Sequence, residues 1–353
     1  MDCRKFYNNK IFILGMPKRY GIYKLIIKNL ELLGFTVINI CFDDENFQYK
    51  NIGEKIENFL RKTFLRDKDF KQKLKFRHQY DNVEKKIDSL KDIKAHYALI
   101  IRADLYPNSI IKKIKAKSEA TYAYQWDGLD IFPKIKDKIS LFSRFYVFDP
   151  KDMDYPDTTG ITNFYFDNTI LGTNTKNTPR DLYFIGVYIE ERMDFIISFL
   201  EKINALNINA LIEIYADNIS AISKKHRHIP YIQYISEKQS FEQISEKMLD
   251  SKVLIDFVNP KHNGLSLRIF EALGHNKKLI TTNKEVRKYE FYDESNILIY
   301  DIHTNTEEIK KFFEKAYIPP VREITLRYSF KNWIENIINP APLSKITLPT
   351  TDR

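Results

Sequence analysis

At 353 residues the chain is long enough for two hydrophobic cores, and with 43% hydrophobic residues, 14% aromatic residues and few glycines or prolines it excludes a disordered or collagen-like protein. Lys and Arg number 56 against 47 Asp and Glu, a formal net charge of +9 that favours an anionic partner. The basic residues are spread along the chain without an RNA-binding signature or a zinc framework, so nucleic acid is not expected.

Cys3 and Cys41 are too few for a disulfide framework and fit a reducing cytoplasm. The opening MDCRKFYNNK leads into IFILGM, an apolar run far shorter than a signal h-region or a membrane span. Any membrane contact is therefore expected to be peripheral, through basic and aromatic surface.

Residues 10–16 read as a buried strand, followed by the loop Pro17-Lys18-Arg19-Tyr20-Gly21, an amphipathic helix over 22–33 and a β-branched strand over 35–41. The loop lacks the glycine fingerprint of a dinucleotide site. Residues 43–94 are lysine-rich, free of proline and helical in period, and read as an insertion of charged helices carrying aromatic stripes. Those aromatics are expected to pack into a core, the other use being a basic surface for an anionic acceptor or lipid headgroups.

Strands follow at 97–102, 120–124 and 145–148, with a helix from Asn108. Ligands of open α/β sheets bind outside the carboxyl ends of the strands, which singles out Asp104, Trp126, Asp127 and Asp149. Asp127 stands between an indole that can desolvate it and a glycine that leaves space beside it, the setting of a general base; an N-cap or turn aspartate is the equal alternative. Asp149, before a proline, reads as a turn.

Residues 154–177 are rich in Asp, Thr, Asn and Gly and read as a linker. A strand then reaches Gly186, with Arg192 entering a long helix, and further strands are expected at 211–215 and 229–235. His226 and His228 have no partner at metal-ligand spacing and are expected at the surface.

The most informative stretch is 256–283, DFVNPKHNGLSLRIFEALGHNKKLITTN: strand, glycine turn, helix, strand. A glycine turn feeding a helix presents free N–H groups and the positive end of the helix dipole, an anion site made of Asn263, Gly264, Leu265 and Ser266. Arg268 adds a bidentate phosphate donor, and Glu271 can accept from ribose hydroxyls; an ordinary helix with both residues solvated is the alternative. Gly274 and Asn276 are expected to end this helix. Later come a strand at 297–300, helices at 307–316 and 329–338, and a tail from Pro340 that reads as disordered or acceptor-related.

The segment NGLSLRIFEALGHNKKLITTN, with YEFYDESNILIY after it, resembles the donor segment of GT-B glycosyltransferases of bacterial lipopolysaccharide and capsule biosynthesis. The resemblance implies an α/β fold of two Rossmann-like domains with parallel sheets facing a central cleft. It places an acceptor domain at 1–160 with the insertion at 43–94, a linker at 161–178, a donor domain at 179–325, and a terminal helix and tail at 326–353 that pack back toward the first domain. It implies donor binding by Gly186, Arg192, Asn263, Gly264, Leu265, Ser266, Arg268 and Glu271, with Tyr20, Asp104 and Trp126 on the acceptor side and Asp127 as catalytic base. Many retaining members carry two glutamates eight positions apart; Glu271 matches the second, while Asn263 occupies the place of the first, which leaves that carboxylate's role unassigned and the stereochemistry open, with inversion through a base such as Asp127 preferred over retention.

The implied activity is transfer of a hexose from a nucleotide sugar to a glycan or lipid-linked acceptor, without metal or cofactor, in the cytoplasm at the inner face of the inner membrane. A non-catalytic nucleotide- or polysaccharide-binding scaffold of the same fold is the alternative, supported by Asn263.

Overall fold

Parallel strands can be joined only by a crossover that returns the chain to the same end of the sheet, so aliphatic runs alternating with amphipathic helices specify a parallel sheet. The computed structural model describes residues 7–44, 47–66, 70–167, 180–258 and 263–350, and the chain repeats this pattern in two units, Met1–Ile161 and Thr162–Arg353.

The first unit runs β1 (Ile11–Gly15), α1 (Ile22–Leu32), β2 (Thr36–Asn39), α2 (Ile52–Phe64), α3 (Phe70–Arg77), α4 (Tyr80–Asp88), β3 (Ala95–Ile101), α5 (Asn108–Ala116), β4 (Ser118–Gln125), β5 (Arg144–Val147) and β6 (Thr158–Gly160). Its six strands are all parallel, in the order β2-β1-β3-β4-β5-β6. The second unit runs β7 (Arg180–Val187), α6 (Glu190–Asn204), β8 (Ala210–Tyr215), β9 (Ile232–Ile235), α7 (Phe241–Leu249), β10 (Ser251–Asp256), α8 (Leu267–Gly274), β11 (Lys278–Thr281), β12 (Ile297–Ile299), α9 (Thr306–Glu314), α10 (Arg322–Arg327) and α11 (Phe330–Ile338). Its parallel order is β12-β11-β10-β7-β8-β9.

Strand order reverses direction between β1 and β3 in one sheet and between β7 and β10 in the other. At such a point the loops after two adjacent strands diverge to opposite faces and leave a crevice at the carboxyl edge. Each unit therefore offers one crevice by topology alone.

The first core joins Ile13, Ile100 and Ala123 of the sheet to Ile110 and Ile114 of α5 and to Phe76, Val83 and Ile87 of the inserted helices. The insertion's aromatics divide: Phe70 and Phe76 are buried, whereas Phe59 and Phe64 of α2 are 63% and 73% exposed. The second core centres on Phe184, Phe199, Phe257 and Tyr300, whose rings meet edge to face. His226 is a correction to the sequence reading: it is buried in the second unit, with its Nδ1 3.0 Å from the Tyr188 hydroxyl.

Two elements escaped the sequence. Thr158–Gly160 lies in the stretch read as a linker and has no apolar alternation; its pairing with β5 makes it a strand. Residues 322–327 form the short α10, of which no side chain is buried. Of that same stretch, residues 168–177 lie outside the described residues, and Thr162–Phe166 pack within the second unit.

Phe164 lies 4.5 Å from the Trp333 ring of α11, whose indole Nε1 donates to the Thr162 carbonyl at 2.9 Å. The tail is held to the same helix: the Ile346 N–H donates to Asn336 Oδ1 at 2.9 Å, and Ile346 and Leu348 are buried. Asn276, at a φ of 53°, supplies the left-handed residue after α8. Gly274 serves packing, since a Cβ there would lie 2.2 Å from the Tyr165 ring.

Gly274→Ala is expected to destabilise the fold by about 1–3 kcal/mol through overpacking. Urea denaturation measures this, and Tyr165→Ala in the same chain should lessen the cost of adding the methyl group.

Candidate functional site

In the second unit the crevice lies between the carboxyl ends of β7 and β10. At its centre is Asp256, the last residue of β10, buried and held by two hydroxyls: Ser266 Oγ donates to Oδ1 at 2.7 Å and Thr281 Oγ1 to Oδ2 at 3.0 Å. Burial raises the pKa of Asp256, while these hydroxyls, Arg268 and Arg192 act against the rise.

Arg192 reaches this edge from the first turn of α6. Its Nη1 donates to the Phe257 carbonyl at 3.1 Å, its Nη2 donates to the Val187 carbonyl, and its guanidinium lies 5.6 Å from the Phe184 ring centre. Gly186 makes this possible, because a Cβ there would come within 2.8 Å of Arg192 Nη2. Burial lowers the pKa of Arg192, opposed by Asp256.

Ser266 precedes α8, but its hydroxyl is committed to Asp256, so α8 has no side-chain cap. The helix N-terminus thus keeps uncapped N–H groups and its positive end at the same edge. Arg268 Nε lies 3.3 Å from Glu271 Oε2, with the guanidinium 5.9 Å from the centre of the Tyr183 ring. Tyr183 is itself fixed by donating to Glu213, which Lys247 and Gln239 hold from the other side.

Two of these arginine N–H groups, Arg192 Nε and Arg268 Nη1, are buried with no acceptor among the described residues. An unmatched buried donor costs about 1–3 kcal/mol, a cost that an anionic ligand would offset.

Glu271 is buried, and burial raises its pKa, with Arg268 acting against the rise. Leu265 is buried too, its carbonyl accepting from Asn163 Nδ2 at 2.9 Å. The carbonyls of Asn263 and Gly264 are tied by Asn283 Nδ2, each at 3.4 Å. Residues 259–262 of this turn lie outside the described residues. The structure thus gathers Gly186, Arg192, Ser266, Arg268 and Glu271 around the strand ends, with Leu265 as a core contact. Asp256 and Asn283 were not singled out in the sequence; the signal that could have found Asp256 is a carboxylate ending the strand before the glycine turn.

In the first unit Arg102 follows β3 with a φ of 63°, a conformation that costs a non-glycine residue energy and has to be held by its surroundings. Three contacts hold it. Nε and Nη2 bind the two oxygens of Asp104 at 2.8 Å each, Nη1 donates to Asp127 Oδ2, and the guanidinium covers the Phe132 ring at 4.1 Å. Asp127 is therefore engaged by an arginine, and Trp126 lies beside Tyr124, with ring centres 6.2 Å apart. Tyr20, in the loop after β1, is 38% exposed at a φ of 54°. Asp149 caps the turn that follows it, accepting from the Lys151 N–H at 3.2 Å. Arg102 is the residue the sequence reading missed, because it stands inside what reads as a strand.

No protein-family model matches the chain, and no curated protein sequence does. Solved structures match in fold. An alpha-glucosyltransferase in complex with UDP and a 13-mer DNA containing a HMU base aligns with a TM-score of 0.58 at 12% identity, over 92% of this chain and 98% of that one. A glycosyltransferase from Rickettsia africae ESF-5 aligns with a TM-score of 0.50 at 11% identity, over 95% and 100%. The apo form of the lipopolysaccharide outer core galactosyltransferase WaaB aligns with a TM-score of 0.48 at 12% identity, over 92% and 97%. At such identities the likeness concerns the fold: the chain has the GT-B glycosyltransferase fold.

Arg102→Ala leaves Asp104 without its bidentate partner and is expected to cost about 3–5 kcal/mol of stability, as for a buried pair broken on one side. Denaturant unfolding of the first unit's transition checks this, and Arg102→Ala with Asp104→Ala should cost less than the single change.

Proposed function

We propose that the protein is a glycosyltransferase that moves a hexose from a nucleotide sugar to a glycan or lipid-linked saccharide acceptor in bacterial surface polysaccharide synthesis. The observation that carries the reading is the pair of arginines with unmatched buried N–H groups, Arg192 and Arg268, beside the uncapped start of α8 at the second sheet's switch point. A diphosphate supplies the acceptors these donors lack, and Glu271 offers oxygens to ribose hydroxyls. That UDP accompanies the alpha-glucosyltransferase of similar fold supports a nucleotide diphosphate here.

In this reading the guanidinium groups and the helix start stabilise charge developing on the leaving diphosphate, in the role that a divalent cation plays elsewhere. The first unit holds the acceptor. Asp127 takes the acceptor proton in an inverting displacement, with Arg102 fixing its carboxylate.

UDP binding by calorimetry is the first test: Arg268→Ala and Glu271→Ala should each weaken it by about tenfold or more, the size of a lost charge-assisted contact. With a turned-over acceptor, chelator should leave the rate unchanged and NMR should show an inverted anomer. Unchanged UDP affinity in both variants would remove the placement of the donor, and binding without turnover would favour a scaffold role.

The same reading places the protein at the cytoplasmic face of a membrane. Helix α2 supports this: Ile52, Ile56, Phe59, Leu60 and Phe64 fall on one face and are all exposed, with Lys55, Arg61, Lys62 and Arg66 around them. An apolar stripe with basic flanks suits an anionic bilayer surface. Co-sedimentation with phosphatidylglycerol vesicles should fall several-fold in Phe59→Ala/Phe64→Ala; equal sedimentation of the variant would sink the membrane reading.

A further inference from the structure

Strand β8 reads ALIEIY, and its one charged residue, Glu213, has a side chain only 2% exposed. It shares a face of the second sheet with Tyr183, opposite the core of Phe184, Phe199 and Phe257: Tyr183 pairs with Leu211, and residues two apart on a strand point to the same side. A buried ion pair adds little to stability, since an apolar pair of similar volume commonly does as well or better. An acid in the middle of this apolar strand therefore asks for another explanation.

Three donors surround its carboxylate. Tyr183 donates its hydroxyl to Oε2 at 3.0 Å, Gln239 donates Nε2 to Oε1 at 2.9 Å, and Lys247 donates to Oε1 at 2.6 Å. Lys247 also donates to Gln239 Oε1 at 2.9 Å, which ties α7 to the loop after β9. The charge of Glu213 is thus matched by Lys247, and both of its oxygens are taken.

Tyr183 works in two directions. Its hydroxyl goes to Glu213, and its ring lies beside Arg268, whose guanidinium carbon is 5.9 Å from the ring centre. A hydrogen bond to a carboxylate enriches the phenol ring in electrons, and an electron-rich ring attracts a cation. Burial raises the pKa of Tyr183, Glu213 adds to the rise and Arg268 opposes it, so the hydroxyl keeps the proton it donates. Arg268 Nε lies 3.3 Å from Glu271 Oε2, while Nη1 is buried with no acceptor among the described residues. The ring steadies the guanidinium without supplying that acceptor.

We propose that Tyr183 is a positioning residue for the donor diphosphate, a role that rests on the glycosyltransferase reading of this crevice. Its ring holds the Arg268 guanidinium at the strand ends, and Lys247 keeps the charge of Glu213 matched behind that ring, so the positive charge of Arg268 stays available to phosphate. With Lys247 gone, an unmatched carboxylate stands behind the arginine, where it draws the guanidinium back and repels the phosphate. The buried acid then has a use: it fixes the hydroxyl end of the platform without competing for the cation that the platform carries.

The test is the UDP affinity of the full-length chain, measured by calorimetry. Tyr183→Leu should weaken it about fivefold, the size of a partly desolvated cation–ring contact, and should cause no further loss in a chain that already carries Arg268→Ala. A residue that only supports the fold would weaken both backgrounds alike. Lys247 is partly exposed, so its replacement keeps the proposal testable if Tyr183→Leu does not fold. Lys247→Met should weaken UDP binding about fivefold or more, and Lys247→Met/Glu213→Gln, which removes both charges, should return it to within about twofold of the parent.

Unchanged affinity in Tyr183→Leu or in Lys247→Met overturns the proposal. So do equal losses from Tyr183→Leu in both backgrounds, and a Lys247→Met loss that Glu213→Gln does not repair. If Arg268→Ala weakens UDP binding and Tyr183→Leu does not, the donor reading stands and this role alone falls. If Arg268→Ala is silent, or UDP does not bind the parent, the donor reading falls and takes this role with it.

Discussion

The second unit's site depends on one buried carboxylate. Asp256 ends the central strand β10, where it cannot be left without partners, and it draws Ser266 and Thr281 onto its two oxygens. Because Ser266 is taken, the helix behind it keeps its N–H groups uncapped. Arg192 is held at the same edge by the Phe257 and Val187 carbonyls, and Arg268 lies beside Glu271. A single acid at the switch point therefore leaves the helix start uncapped, at an edge that also carries two arginines.

The first unit reaches a comparable end by other means. There the carboxyl edge is governed by Arg102, held in a left-handed backbone conformation by Asp104, Asp127 and the Phe132 ring. The strain at Arg102 is offset by a bidentate ion pair in a poorly solvated place, where such pairs are strongest and their loss most costly. Lys138 completes the arrangement by binding three carbonyls of the turn that follows Arg102. The result is a rigid cationic wall behind a cavity with aromatic sides. The two crevices differ in kind: one offers backbone donors and two arginines, the other an open cavity lined by basic side chains, Asp104 and aromatic rings.

Much of the architecture was legible in the sequence because periodicity is a local signal. Short apolar runs such as FILG and VLID, bounded by turn residues, read as buried strands, and the glycine turn before Leu267 shows where a helix starts. The strand Thr158–Gly160 was not legible, since nothing in Thr-Thr-Gly asks for a sheet until β5 lies alongside. His226 was read as a surface residue for want of a sequence neighbour, and its partner, Tyr188, stands 38 positions away. Gly274 was read as a helix stop and does end α8, but its second role was not legible: it accommodates the Tyr165 ring, 109 positions earlier in the chain.

The sequence by itself determined the alternation of strands and helices, the doubling into two α/β units and the placing of Arg192, Arg268 and Glu271 near strand ends, because these follow from residue spacing within a few turns or strands. Only the tertiary structure decided that Asp256 is held by Ser266 and Thr281, that Asp127 is held by Arg102, and that Arg19, Lys73, Arg102, Lys134 and Lys138 line one cavity. The physical reason is the parallel sheet. It brings the ends of strands far apart in the chain to one edge, and the charges that meet there are set by strand order, which no local pattern encodes.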